Sequence, residues 1–570
     1  MPKNVMKITK PSPNLARNDF DLSHRYVHSI NFGELIPNLC LETVPDDYFE
    51  IRASNLIRAI PFVSSPFLRA KQHIDLWFVP YSDLWHNFNQ FIVGRKDPIG
   101  AAFKDYQYCP HANAKDIVNA IYSGLSGAKD IIGRNIEIGA EKIFNALGYG
   151  DMERIFADLY ANPTHTYADV NLWRILAYNK IWYDEYRNKY YDDGTHLCAG
   201  SWLANPSGLW NVDDLSCNSY ANAGITGSDV NNRLGPMFQM RYRQWKKDLF
   251  TGILPSTQFG SVSSVEVLTD KATNFKSTSQ SNNILQIVPS SNSLVQNDAS
   301  ASSTNYTTIL KGSLDVLALR KSEAIQKWRQ IALMSPLSAW DNMRGHYGVT
   351  PDHDRDHRPT YIGSVDAPLN IGDINAQSQT GTSGNQLLAS VAGKGLSSVS
   401  DHVFKFKAND FGIIMAMSSI LPEAEYNSVG LDRPNQLIES DDYFKPEFQN
   451  LGLEGVGSYD FYFEDTLGLS VLGYAPRYYG YKQKIDKVSN TFRYFGSAST
   501  QGQFANWVSP KYDILSTLGS VKPLAGLYIN PALYDNNFAV ALSSSEQFMD
   551  DQYWDIKAVR PMSELGLPQF

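Results

Sequence analysis

Apolar positions in this chain recur with two different periods, and the period changes with position. From His73 to Val79 they alternate, placing Ile74, Leu76 and Phe78 on one face of a predicted strand. Residues 26–92 as a whole form short apolar runs broken by turn formers, and Pro37, Pro45, Pro61, Pro66 and Pro80 leave no room for a long helix. The period then lengthens. Ile117, Val118, Ile121, Tyr122 and Leu125 recur at helical spacing, and Leu172, Ile175, Leu176, Trp182, Tyr183, Tyr186 and Tyr190 predict a long helix over 169–190. A second strong helix is predicted over 314–334, with Leu317, Ala324, Ile325, Trp328, Ile331 and Ala332 on one side. After residue 335 the β pattern returns: Phe404 and Phe406 alternate with Lys405 and Lys407, and Gly412 to Ser419 reads as a buried strand.

Two stretches carry neither period. Residues 261–310 contain 24 Ser, Thr or Asn, five charges and no Gly, with β-prone pieces around Val265 and Val267; they predict an exposed polar excursion. Residues 371–400 are rich in Gly, Ser and Gln and read as a loop. Strands early and late, with helices between them, predict a mainly β protein: one β-sandwich whose loops have grown into insertions. The expected organisation is a basic arm over 1–25 and a single domain over 26–570. That domain carries a helical insertion at about 100–250 and the polar insertion at 261–310.

Composition narrows the function classes. The chain has 570 residues, 43% hydrophobic and 19% charged, with 50 Lys and Arg against 59 Asp and Glu. The net charge of −9 argues against a uniformly basic nucleic-acid coat while allowing a basic face. Cys40, Cys109, Cys198 and Cys217 are too few and too scattered for a disulfide framework or a metal finger, so folding in a reducing cytoplasm is expected. The N-terminus has no apolar core region of a signal peptide, and the longest apolar run, Phe411 to Met417, is far short of a bilayer span. A soluble protein without membrane insertion is expected.

Motifs for catalysis are scarce. Ala392-Gly393-Lys394-Gly395 resembles a phosphate loop, but Leu388 and Gly395 stand where Gly and Ser or Thr are required. Asp352-His353-Asp354-Arg355-Asp356-His357 starts like a calcium loop, yet His357 and Gly363 occupy the positions of Gly and Glu. Pro351 and Pro359 bracket its two histidines, and a polar surface turn is the preferred reading. The zinc-protease and serine-hydrolase motifs are absent, and the doublets Asp46-Asp47, Asp441-Asp442 and Asp550-Asp551 read as turn residues. No catalytic, cofactor or metal site is expected. A glycosidase-like carboxylate pair would meet only in space, so a β-sandwich carbohydrate-binding protein or glycoside hydrolase is the rival.

Two segments interleave cations with aromatics, a pattern that suits single-stranded nucleic acid: cations neutralise phosphates and rings stack on bases. One is Arg241-Tyr242-Arg243-Gln244-Trp245-Lys246-Lys247. The stronger one carries Arg477, Lys482, Lys484, Lys487 and Arg493 with Tyr478, Tyr479 and Tyr481, opposed only by Asp486. The arm adds Lys3, Lys7, Lys10 and Arg17 as candidate contacts.

Blocks of sequence in a fixed order then resemble a family, the major capsid proteins of microviruses, small single-stranded DNA bacteriophages, in their gokushovirus-like branch. They are Phe32-Gly33 to Pro37, Glu42 to Phe49, Asp75 to Trp85, Ala177 to Arg187, Asp248 to Gly260, Leu319 to Trp328, His346 to Val349, Arg358 to Gly363, Phe448 to Gly452 and Lys557 to Leu567. The resemblance spans both ends and the middle; residues 100–165 and 191–235 contribute no block. It implies an eight-stranded antiparallel jelly roll, the viral capsid β-sandwich, with long helix-containing loop insertions. It also implies a non-enzymatic subunit that self-assembles into a T=1 icosahedral shell around a circular ssDNA genome. The implied partners are further copies of itself, the genome, a small basic DNA-packing protein, an internal scaffolding protein, a minor capsid or DNA pilot protein and a host-cell surface receptor. The location implied is the virion, assembled in the bacterial cytoplasm. In such relatives one insertion projects near the threefold axes, and 261–310 is its counterpart by position. The His346–Gly363 region becomes a structural signature instead of a metal site.

Overall fold

The structure, a computed structural model, describes residues 17–93, 109–192, 235–258, 357–375, 391–460, 471–492 and 524–564 apart from isolated positions, with shorter pieces between 284 and 346. The chain divides into two compact units, residues 1–255 with 352–570 and residues 256–351.

The first unit is built on two antiparallel sheets. Their strands are β1 (Asn18–Asp21), β2 (His24–Ile30), β3 (Glu34–Thr43), β4 (Asp47–Ala59), β5 (Ala70–Pro80), β6 (Arg241–Tyr242), β7 (Thr360–Pro368), β8 (Asn370–Asn375), β9 (Val391–Ala408), β10 (Gly412–Pro422) and β11 (Phe548–Arg560). One sheet runs β1-β11-β4-β9-β8, with β2 also along β11; the other runs β7-β5-β10-β3-β6. Alternate residues of both point into a shared core. Phe49, Ile51, Phe404, Trp554 and Ile556 from the first sheet meet Leu39, Leu41, Leu76, Phe78 and Ile414 from the second. The rings of Phe78 and Phe406 lie 5.0 Å apart, and Gly363 is needed where Phe404 crosses, because a Cβ there would fall 2.5 Å from that ring. The expected mainly β sandwich of antiparallel sheets is present.

The second sheet is covered on its other face as well. Helices α1 (Ala114–Asn119), α2 (Ile136–Ala146), α3 (Met152–Ala161) and α4 (Trp173–Ile181) come from the region between β5 and β6. Asn113 and Asp151 start α1 and α3 by accepting backbone N–H bonds. Trp173, Ile175 and Tyr186 share a core with Trp77, Val79, Met415 and Met417. A strand buried on both faces has no polar face to alternate with, which is why Gly412–Met417 reads as an unbroken apolar run. The charged anchor of this layer is Glu34, fully buried, which pairs with Arg134 at 2.8 Å and Lys142 at 2.9 Å. Burial alone would raise its pKa, but Lys142, Arg134 and the Asn31 amide bring it down to about 2.

Two segments differ from their sequence reading. The predicted 169–190 helix begins only at Trp173, because Asp169–Asn171 pairs as a short strand with His111–Asn113. It then widens into a π turn over Trp182–Tyr186 and stops at Arg187. The ends of the predicted 371–400 loop are strands: Asn370–Asn375 pairs with Val391–Leu396, and Leu396–Val399 pairs with Arg58–Asn55. Gly393-Lys394-Gly395 is therefore part of a ladder and no phosphate loop; Gly395 permits close passage of Ala59. Long-range pairing overrode a weak local propensity there.

In the second unit, Ile284–Val288, Ser293–Asn297 and Thr307–Thr308 form an antiparallel sheet, followed by α5 (Val316–Met334). Val265 and Val267 lie outside the described residues.

A polar belt crosses the sandwich core. Along each strand the inward positions run apolar, polar, apolar: Ala53-Asn55-Ile57 on β4, Ala70-Gln72-Ile74 on β5, Ala416-Ser418-Ile420 on β10, and Asp550 with Gln552 between Phe548 and Trp554 on β11. Asn55 donates to Gln72 at 2.6 Å, and Gln72 donates to Ser418 at 3.1 Å and to Asp550 at 2.9 Å. Gln552 donates to Asp550 at 2.7 Å and accepts from Asn38 at 2.6 Å. His28 Nε2 lies 3.5 Å from the Asp550 carboxylate. Burial pushes Asp550 up to about 7, against the pull of the two glutamine amides, and pushes His28 down to about 4.

Between pH 4 and 6.5 the folded chain keeps a proton on Asp550 that the unfolded chain has released, and lacks one on His28 that the unfolded chain holds. The two linkage effects oppose each other there, and above that range the ionised Asp550 remains a net cost. Asp550→Asn removes the Asp550 part alone. Its stability gain over the parent is expected to be small at pH 4, to grow as pH rises through 7, and to level off above that at about 4 kcal/mol. Denaturant midpoints of both proteins from pH 4 to 8 measure this, and a pH-independent difference would remove the buried carboxyl as its cause.

Candidate nucleic-acid interface

The stronger cation–aromatic segment follows a short hairpin, Leu453–Val456 with Gly473–Pro476. Tyr478 turns the chain with φ +61° and is buried; its N–H donates to Glu454 at 2.7 Å. Tyr479 is buried too and donates to Asp460 at 2.5 Å, so burial and that carboxylate push its pKa up. Neither ring is available to a base. Tyr481 is, with 57% of its surface exposed. Lys482 and Lys484 follow it, exposed and without a carboxylate at ion-pair distance among the described residues.

The other predicted contacts are partly consumed. Lys487 pairs with Asp432, and Asp486 is held by Arg69 at 2.6 Å. The Arg477 guanidinium lies 5.4 Å over Tyr478. Arg17 pairs with Asp46 at the β3–β4 turn, where Lys407 reaches the same carboxylate at 2.8 Å. No contact joins Arg17 to the 477–487 segment among the described residues. Lys3, Lys7, Lys10 and Arg493 lie outside the described residues. Asp432 stands 55 positions before Lys487, so no local pattern announces that neutralisation.

The weaker segment, 241–247, is mostly core. Arg241, Tyr242 and Trp245 are buried. Arg241 donates to Asn179 at 2.7 Å, and Trp182 donates to the Tyr242 carbonyl at 3.0 Å. Arg243 is held by Asp75 at 2.9 Å and stacks 4.5 Å over Tyr186, which itself donates to Asp75 at 2.7 Å. Only Lys246 and Lys247 remain at the surface, on the rim of a cleft.

The Asp352–His357 cluster is described only at His357, which meets Asp83 at 2.8 Å. The next residue, Arg358, donates twice to Glu185, at 2.7 and 3.0 Å. Burial raises the pKa of Asp83 and of Glu185, against the pull of His357 and Arg358 respectively. Among the described residues no group of three or more His, Cys, Asp and Glu side chains converges as a metal site. His357 and Arg358 instead clamp the strand entering β7 onto the helical layer.

A sandwich with a helical cover and charge clamps at its seams is a scaffold for contacts. The sequence profile of a family described as capsid protein (F protein) matches residues 9–116 and 151–570. The chain belongs to this capsid protein family. Capsid protein VP1 of Chlamydia phage 1 is 23% identical over 609 aligned positions, covering 98% of this chain and 96% of the relative. The protein is thus a structural major capsid protein, and the microvirus resemblance read from its blocks is the correct one. The unmatched stretch, 117–150, includes the π turn Ala120–Gly124 and α2, within the region where no sequence block could be placed.

In this capsid protein Arg358→Ala takes from the largely buried Glu185 its bidentate partner. A loss of about 3 kcal/mol is expected, with Arg358→Ala/Glu185→Leu losing less than the single change. Denaturation midpoints of these variants and of Glu185→Leu alone decide it, and losses that simply add would show that the pair is not coupled.

Proposed function

We propose that this capsid protein assembles into a small T=1 icosahedral shell around a circular ssDNA genome and touches that genome through Tyr481, Lys482 and Lys484. Family membership supports the shell. One observation carries the DNA contact: an exposed ring is followed within three positions by two exposed cations that have no carboxylate partner among the described residues, a pairing that suits single strands. Arg477, Lys487 and Arg493 belong to the same proposed surface, and the arm with Lys3, Lys7, Lys10 and Arg17 extends it. The proposed partners are further copies of the chain, the genome, a small basic DNA-packing protein, an internal scaffolding protein and a DNA pilot protein. A host receptor is assigned to the polar insertion 261–310. The domain reading behind this is one eight-stranded jelly roll over 26–570 with a basic arm, a subunit without catalytic activity that assembles in the host cytoplasm.

The chain expressed with the other phage proteins is expected to give closed shells by electron microscopy and size-exclusion chromatography; persistent monomers that hydrolyse glycans would overturn the reading. Replacing Tyr481, Lys482 and Lys484 together by Ala is expected to leave the subunit folded and weaken ssDNA binding about tenfold. The slope of log affinity against log salt should fall by about 1.4, as for two phosphates lost. An unchanged slope would remove these lysines from the genome contact.

A further inference from the structure

Residues 431–451 contain no buried position, yet they carry Ile438 at 87% exposure, Leu451 at 61%, and Tyr443 and Phe444 at 51% each. The segment is held by its own bonds and by ties to Glu454, Asp460, Tyr478 and Lys487. Asp442 accepts from the N–H groups of Ile438 and Glu439 at 2.9 and 2.8 Å, Lys445 pairs with Asp441 at 2.5 Å, and the Phe444 ring packs 5.1 Å from Tyr478. An ordered apolar ridge with no core behind it is a contact surface. From Ile438 to Leu451 its charge is acidic, with Glu439, Asp441, Asp442 and Glu447 against Lys445 alone.

The same chain carries a complement. A cleft of ≈ 380 Å³ has walls that include Trp245, Leu421 and Pro422, with Lys71, Lys246 and Lys247 on it. Its other charges cancel: Arg243 is held by Asp75, Glu185 by Arg358, and Glu423 by Arg69 at 3.0 Å. The three lysines have no carboxylate at ion-pair distance among the described residues. Within one chain the ridge stays exposed and the cleft stays open, so neither satisfies the other.

We propose that the Ile438–Leu451 ridge of one copy seats in the Lys71–Lys246–Lys247 cleft of a second copy. This inference rests on the capsid reading above. The contact is head-to-tail, joining two different patches, and repetition closes it into a ring when the rotation between copies divides a full turn. Apolar side chains fill the cleft, and the carboxylates of the ridge meet its lysines.

The test uses the full chain produced with the other phage proteins, and reads shells by sedimentation velocity. Asp441→Lys/Glu447→Lys on the ridge and Lys246→Glu/Lys247→Glu in the cleft are each expected to lower shell yield at least tenfold, with unchanged thermal melts of the subunit. Carrying all four changes together is expected to restore it, and Ile438→Ser alone to lower it at constant charge. Either reversal assembling like the parent, or the fourfold variant failing to recover, overturns the proposal. Intact shells that lack genome in the Lys246→Glu/Lys247→Glu variant also overturn it and give the cleft to phosphodiesters. A parent chain that stays monomeric fails the capsid reading itself, and this inference with it.

Discussion

The hydrogen-bonded belt through the sandwich core constrains everything built around it. Asn55, Gln72, Ser418, Asp550 and Gln552 come from four strands in both sheets, and Asn38 joins them from a fifth. Side chains alternate between sheet faces, so a slip of one residue in any of these strands would carry its polar group out of the core and strand its partners unpaired. The apolar clusters on either side supply most of the buried area, while the belt fixes the register in which they meet. Its cost is a carboxylate held away from water.

With the register set, the second sheet presents an apolar face on both sides and needs the helical layer to cover one of them. Hydrophobic contact alone would let those helices slide. Glu34 with Arg134 and Lys142, and Glu185 with Arg358, place paired charges at the seams, where displacement would leave a buried charge without a counterion. The Trp77–Tyr186–Asp75–Arg243 chain adds directional bonds at the middle of the sheet. The segments after β10 hold their shape by short strand pairings, caps and ion pairs such as Arg433–Glu454 and Arg69–Asp486.

A capsid protein works through its surfaces, and the surfaces here are sorted by whether their charges are already spent. In the 477–487 segment, Lys487 and Asp486 are occupied by Asp432 and Arg69, and two of the three tyrosines are core. What remains, Tyr481 with Lys482 and Lys484, is smaller than the composition of the segment promised. The cleft lysines are unspent in the same sense, while the ridge keeps a net negative charge although Lys445 holds Asp441 and Asp442 caps its own turn.

Period and block order in the sequence already carried the β-sandwich, the helical character of the region between β5 and β6, and the capsid family, because an alternating or helical repeat reports directly on which faces are buried. His73–Val79 and Gly412–Ser419 were legible for that reason. The strand at Val391–Ser400 was not, since Gly and Ser acquire their extended form only from pairing with β4. Nor were the π turn at Trp182, the burial of Arg241 and Trp245, or the neutralisation of Lys487. Each depends on a partner tens to hundreds of residues away, and the energy of a charge or an aromatic ring is set by what surrounds it in space. The chain order stated which side chains were present; only the tertiary structure decided which were left free to bind.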